Sequence, residues 1–300
     1  LPPGTAAATV PGRGFVRSVA PAVSAGSAGM PRTCRRDGGR YSTHGCWVGG
    51  VGLALTWPRA GDSDAAMAVP PKEARRVRTL IARLEAAYPD AALDLHFSNP
   101  FELLVALILA AQCTDERVNQ LTGQLLFAKY PTPGAVLGVD VAELEHDIRS
   151  TGFYRSKAKA LRACCRQLVD EFGGRVPEAL DELIRLHGVG RKTANILRGN
   201  AFGADAIGVD THVGRLAQRL GLASARDPDK IEAELTERVP RRHWTHLCHL
   251  LQAHGRRVCL ARKPRCWECP IEHWCPWDTK TPAPAPSKAR PAFGRRPEGA

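Results

Sequence analysis

The sequence predicts an all-α fold, and three stretches carry that expectation. "FELLVALILAAQ" (101–112) is a continuous apolar run that reads as a buried helix. "SKAKALRACCRQLVDEFGG" (156–174) repeats apolar residues at helical spacing and closes on glycine, a helix stop signal. "DPDKIEAELTERV" (227–239) opens with Asp227 as N-cap and Pro228 at the first helical position. It also sets Ile231, Leu235 and Val239 four apart on one face. No alternating strand and no internal repeat competes with these signals.

The organised pattern runs over residues 71–278. Residues 1–70 are rich in Ala, Gly, Pro, Ser and Arg, lack a sustained period and are expected to be disordered. Met67 stands just before the helical patterning, so a start there would remove this zone whole; the intact mass of the native protein decides that. Residues 279–300 form a basic Pro/Ala/Arg tail without a core, also expected to be disordered.

A chain of 300 residues, 44% of them hydrophobic, holds enough for one large or two modest domains with a real core. The formal charge of +12 favours a polyanionic partner, nucleic acid first. Residues 238–265 hold eight Arg and Lys and no acid, which predicts a positive patch. The longest apolar runs, Trp47–Trp57 and Phe101–Ala111, fall short of the roughly 18–20 residues of a membrane span. No membrane association and no signal peptide are expected, and the protein is expected in the cytoplasm.

Four of the ten cysteines crowd into "CLARKPRCWECPIEHWC". Cys259, Cys266, Cys269 and Cys275 are spaced C-x6-C-x2-C-x5-C, which suits tetrahedral zinc or a 4Fe–4S cluster in a reducing compartment. The loop between the first two carries Arg262, Lys263 and Arg265, cations that such a centre could present to phosphates. Cys113, Cys164 and Cys165 are expected to serve core packing.

"LHGVGRKTANIL" (186–197) fits a helix–turn–helix hairpin. Gly188 and Gly190 let the turn take positive φ and let backbone N–H groups approach a ligand. The second helix then begins with free N–H groups, which suit a phosphate. Lys192 is either a phosphate contact or a nucleophile. Asp210 follows eighteen residues later in "GVDTHVGRLAQRLGL". An amine beside a carboxylate can attack a nucleotide C1′, displace the base and go on to β-elimination. Taken singly, the two residues read equally as a phosphate-binding lysine and a capping aspartate.

Together these stretches resemble the endonuclease III family of DNA glycosylases with AP lyase activity. The resemblance covers residues 72–278. It rests on "NPFELLVALILAAQCTD" (99–115), "GFYRSKAKAL" (152–161), "LHGVGRKTANIL", "GVDTHVGRL" (208–216) and "HGRRVCLARKPRCWECPIEHWC" (254–275). It implies a 4Fe–4S cluster on the four cysteines rather than zinc, Lys192 as Schiff-base nucleophile and Asp210 as the essential carboxylate. Related adenine glycosylases typically lack the lysine, and related 8-oxoguanine glycosylases lack the cluster. The competing readings are a silent or monofunctional DNA-binding relative and a zinc-stabilised factor.

By the same resemblance Gln112 fills the gap left by an extruded base, and Phe153 is an apolar wedge where relatives often carry Leu. Asp115 lies in the pocket. His212, Gly188, Gly190, Arg191, Arg262, Lys263 and Arg265 contact DNA. The implied architecture is two helical lobes flanking a DNA-binding cleft. A six-helix lobe with the hairpin would span 94–204, and 71–93 joined to 205–278 would form the cluster lobe. The implied partner is double-stranded DNA carrying damaged pyrimidines or abasic sites, bound by a monomer on the nucleoid.

Overall fold

The computed structural model describes residues 69–284, all within one compact unit, Pro58–Ala300. The expectations for residues 1–68 and 285–300 lie outside them. The described residues form α-helices, short 3-10 turns and one π turn, with no strand.

Helix α1 (Pro71–Ala87) starts on a proline and buries Val77, Leu80, Ile81 and Leu84 along one face. Next, α2 (Pro100–Leu109) is capped by Asn99, whose side chain accepts from the Glu102 amide at 3.0 Å. Glu102 reaches back to accept from the Ser98 amide at 2.6 Å. Seven of the ten residues of α2 are buried, so it is a central rod rather than an amphipathic cover. It ends at Leu109, three residues short of the apolar run, because Gln112 turns left-handed with φ 53°.

α3 (Asp115–Leu121) runs through a π turn (Thr122–Leu126) into α4 (Phe127–Lys129). α5 (Pro133–Leu137) and α6 (Val141–Asp147) are short covers, followed by a 3-10 turn at Arg149–Thr151. α7 (Tyr154–Phe172) ends where predicted: Gly173 at φ 59° lets the Gly174 amide return to the Leu168 carbonyl at 2.8 Å. α8 (Leu180–Leu183) and α9 (Arg191–Ala201) flank the glycine turn. α10 (Thr211–Arg219) begins on Asp210. α11 (Pro228–Arg238) has the predicted start, Asp227 accepting from the Asp229 and Lys230 amides, both at 3.1 Å. α12 (Trp244–Arg257) leads into the cysteine loop.

Two hydrophobic cores organise these helices. The first gathers buried residues from Leu95 to Leu197, with α2 packed against α7 and α9. The second joins Val77–Tyr88 of the N-terminal stretch to Ile207–Ile271, with α12 packed on α1 and α10. The chain therefore enters one lobe, builds the other, and returns. The return is tied down where the lobes meet. The buried Asn195 amide donates to the Ile207 carbonyl at 3.0 Å. A Cβ on Gly199 of α9 would lie 2.6 Å from Thr245 Oγ1 of α12, so only glycine permits that crossing.

Candidate functional site

The hairpin between α8 and α9 is set by one glycine, not two. Gly188 takes φ 81°, which only glycine adopts readily, and a Cβ there would sit 3.3 Å from Ala160 of α7. Gly190 has φ −92° and ψ 172°, ordinary extended backbone, and a Cβ there would meet nothing within 4 Å. Its bareness leaves the backbone open toward solvent at the start of α9. Gln167 of α7 clips the turn from below, accepting from the His187 amide at 2.7 Å and donating to the Arg185 carbonyl at 3.1 Å. Lys192 is exposed in the first turn of α9, among N–H groups that have no intrahelical partner.

Asp210 divides its carboxylate. One oxygen caps α10 by accepting from the Val213 amide at 2.7 Å, and the other accepts from Gln252 Nε2 of α12 at 3.3 Å. Beside it opens a cleft of about 890 Å³, lined from both lobes by Asp94, Cys113, Asp115, Asp210, His212 and Arg256 among others. The Asp115 carboxyl is pushed up by burial; the Lys192 charge opposes that and the Asp210 charge adds to it. All three groups thus share one electrostatic neighbourhood. Arg256 bridges the cleft floor, pairing with Asp94 and with Asp115 at 3.0 Å. Cys113 packs against the first core, as expected, and also lines the cleft, while Cys164 and Cys165 are fully buried. His212 faces the cleft and accepts from Arg215 at 3.2 Å.

Gln112 (φ 53°), Phe153 (φ 47°) and Lys263 (φ 49°) are the left-handed non-glycine residues among those described, and all are exposed. Phe153 is 68% exposed. A bulky residue in this backbone region, with its ring in water, is doubly unfavourable for the free protein.

The basic run 238–265 carries no acid of its own, yet the fold supplies several. Arg241 pairs with Asp205 at 3.0 Å, and Arg257 with Asp90 at 2.7 Å. Arg265 folds back onto the Arg257 carbonyl and pairs with Glu268 at 2.9 Å. Arg191 is likewise engaged, bidentate on Glu232 of α11 at 2.8 Å. The continuous positive patch is therefore partly neutralised. Arg262 and Lys263 stay exposed without an ion pair among the described residues.

Of the four cysteines of the C-terminal loop, Cys259, Cys269 and Cys275 pack beside the second core, and Cys266 is half-buried. No group of three or more His, Cys, Asp or Glu among the described residues is drawn in around one point as for a single ion. The sulfurs still sense one another: burial, then the neighbouring thiols, push Cys269 up to about 11. Arg219 Nη1 donates to Cys259 Sγ at 3.2 Å and to the Leu260 carbonyl at 2.8 Å. Four thiols on one short loop, one of them held against a guanidinium, are a donor set that suits an iron–sulfur centre. Loading it would relieve the cost of ionising buried thiols.

Neither Gln252, the partner of Asp210, nor Arg256, which lines the cleft, was singled out for the site from the sequence. Gln252 offers no sequence signal, since nothing in "LLQAHG" marks a partner for Asp210. Arg256 belongs to the basic run, but its acidic partners lie far off in the chain.

The HhH-GPD superfamily of base excision DNA repair proteins matches residues 105–241, and the iron–sulfur binding domain of endonuclease III matches residues 259–275. The chain is 48% identical over 203 residues to endonuclease III of Synechocystis sp., covering 67% of this chain and 92% of that protein. It is 41% identical over 204 residues to endonuclease III of Escherichia coli K12, covering 67% and 95%. Two solved structures superpose with a TM-score of 0.64 at 43% identity, covering 68% of this chain and 95% of theirs. One is a non-covalent endonuclease III–DNA complex; the other is a trapped endonuclease III–DNA covalent intermediate.

Proposed function

The chain belongs to the endonuclease III family of base-excision DNA repair enzymes, and on that premise we propose that Lys192 and Asp210 carry its chemistry. The protein is a DNA glycosylase and abasic-site lyase with a 4Fe–4S cluster. What supports the assignment is that Asp115 and Asp210 line one cleft between the two lobes, with Lys192 at the start of α9 near enough for its charge to act on Asp115.

In this reading the neutral Lys192 Nζ attacks C1′ of the damaged nucleotide. The C1′–N bond breaks, and the base leaves with the bonding electrons and takes up a proton. Asp210, its second oxygen oriented by Gln252, stabilises the positive charge that develops on the sugar. The attached nitrogen gives up a proton, its lone pair breaks the C1′–O4′ bond, and O4′ leaves as a hydroxyl; the open-chain iminium that results acidifies C2′. Loss of a C2′ proton expels the 3′ phosphate by β-elimination, and water then hydrolyses the imine and frees Lys192. Cys259, Cys266, Cys269 and Cys275 would hold the cluster, which anchors the loop that presents Arg262 and Lys263 to phosphates.

Double-stranded DNA is the partner. The hairpin amides around Gly188 and Gly190 would grip a phosphate, and the open space at Gly190 supports that. Gln112 and Phe153 would enter the stack as the damaged pyrimidine leaves it, which accounts for their exposed, left-handed conformation. Asp115 and His212 would line the base pocket. Arg191 and Arg265, already paired with carboxylates, would reach DNA only by sharing those partners. We read the enzyme as a monomer working on nucleoid DNA; no helix among the described residues is long and apolar enough to cross a membrane.

Incubation with a duplex holding one abasic site, followed by borohydride, tests the assignment. A covalent protein–DNA adduct from the wild type and none from Lys192→Ala is expected. An undiminished adduct from Lys192→Ala would overturn the assignment of the amine. No adduct from cluster-loaded wild type would overturn the lyase mechanism.

A further inference from the structure

Lys157 is the fourth residue of α7 and 5% exposed, an unusual place for a lysine. Its Nζ donates to the Leu109 carbonyl at 2.8 Å and to the Thr151 carbonyl at 2.8 Å. Leu109 ends α2, three residues before Gln112. Thr151 ends the 3-10 turn, two residues before Phe153. The Lys157 amide also donates to the Phe153 carbonyl at 3.0 Å. One buried side chain therefore fastens the roots of two loops 41 residues apart in sequence, and each loop carries an exposed left-handed residue.

The charge suits the place. Both carbonyls lie at C-terminal ends of helical segments, where peptide dipoles favour a cation. Burial nonetheless lowers the lysine's pKa, so a purely apolar packing residue would be the easier occupant. Retaining an amine here makes sense if its geometry matters. A single nitrogen with two fixed acceptors sets the distance between two backbone segments, which an apolar side chain cannot do.

We propose that Lys157 is a positioning residue for base extrusion: it holds the Gln112 and Phe153 loops in register with each other, while the reaction at Lys192 proceeds without it. The proposal rests on the reading of Gln112 and Phe153 as residues that enter the DNA stack.

Lys157→Met keeps the length of the side chain and removes its donors. The readout compares single-turnover base removal from a thymine glycol duplex with borohydride trapping on a single-stranded abasic oligonucleotide, which has no stack to enter. The ratio of duplex rate to single-strand trapping should fall about 100-fold, the order expected for misplacing a substrate by about an ångström. Equal losses on both substrates, or none, would overturn the proposal. Phe153→Ala runs alongside. If Phe153→Ala loses duplex activity and Lys157→Met keeps it, the positioning role fails alone; if both keep it, the stack-entry reading fails with it. Should Lys157→Met not fold, hydrogen exchange on the wild type decides. Loops sharing one fastening should open together, so the Cys113 and Gly152 amides should show matching protection, and a tenfold or greater divergence would overturn the proposal.

Discussion

At Asp210, one oxygen caps α10 and the other accepts from Gln252, so structure and chemistry are separable by substitution. Asparagine caps as well as aspartate but carries no charge. Asp210→Asn should keep the folding stability of the wild type while base removal falls about 100-fold or more. Asp210→Ala should lose activity and, in addition, about 1 kcal/mol of stability with the cap. Chemical denaturation beside single-turnover kinetics checks both; an asparagine variant as unstable as the alanine variant would contradict the division of labour. The candidate pair Lys192 and Asp210 was legible only through the resemblance of its motifs to a known family. The partners that orient it were not, because Gln252 reaches Asp210 only after α12 packs on α10.

Helix α12 serves both lobes. Its Leu247, Leu250 and Leu251 fill the second core, while Thr245 and Arg256 reach toward the first. His249 lies between these faces, and burial, with His246 adding, pushes it down to about 4. The sign follows from linkage. Above pH 6.5 His249 is neutral folded or unfolded and contributes no pH dependence. As pH falls from 6.5 toward 4, the unfolded chain binds a proton that the folded chain refuses, so stability declines. Urea midpoints at pH 7, 6 and 5 should therefore drop. His249→Gln should flatten that drop by about 1 kcal/mol per pH unit or somewhat less. An unchanged slope would place His249 in water. Nothing local in the sequence distinguishes a histidine tucked between helices from one in solvent.

For the whole molecule, two kinds of DNA contact predict different salt dependence. Backbone amides at Gly190 displace few counterions, whereas Arg262 and Lys263 displace roughly one each. Fluorescence anisotropy on an abasic-analogue duplex between about 50 and 200 mM salt separates them. Gly190→Ala should weaken binding with the salt slope kept; the double change Arg262→Ala, Lys263→Ala should lower the slope by about 2. A slope unmoved by the double change would exclude those two side chains from the interface. The other basic residues of the run are less exposed to this test, because Arg256 pairs with Asp115, 141 residues away, and Arg257 with Asp90, 167 away. That contrast marks what the sequence could determine by itself. Helical class, the caps at Asn99, Asp210 and Asp227, the glycine turn and the thiol spacing all depend on neighbours within a few residues, so the order of the chain specifies them. Tertiary structure alone decided which acids neutralise which bases, that Gln252 meets Asp210 and Arg256 lines the cleft, and that one buried lysine joins the Gln112 and Phe153 loops. Those contacts form between helices distant in the chain, and their geometry exists only once two hydrophobic cores have packed and fixed the helices against one another.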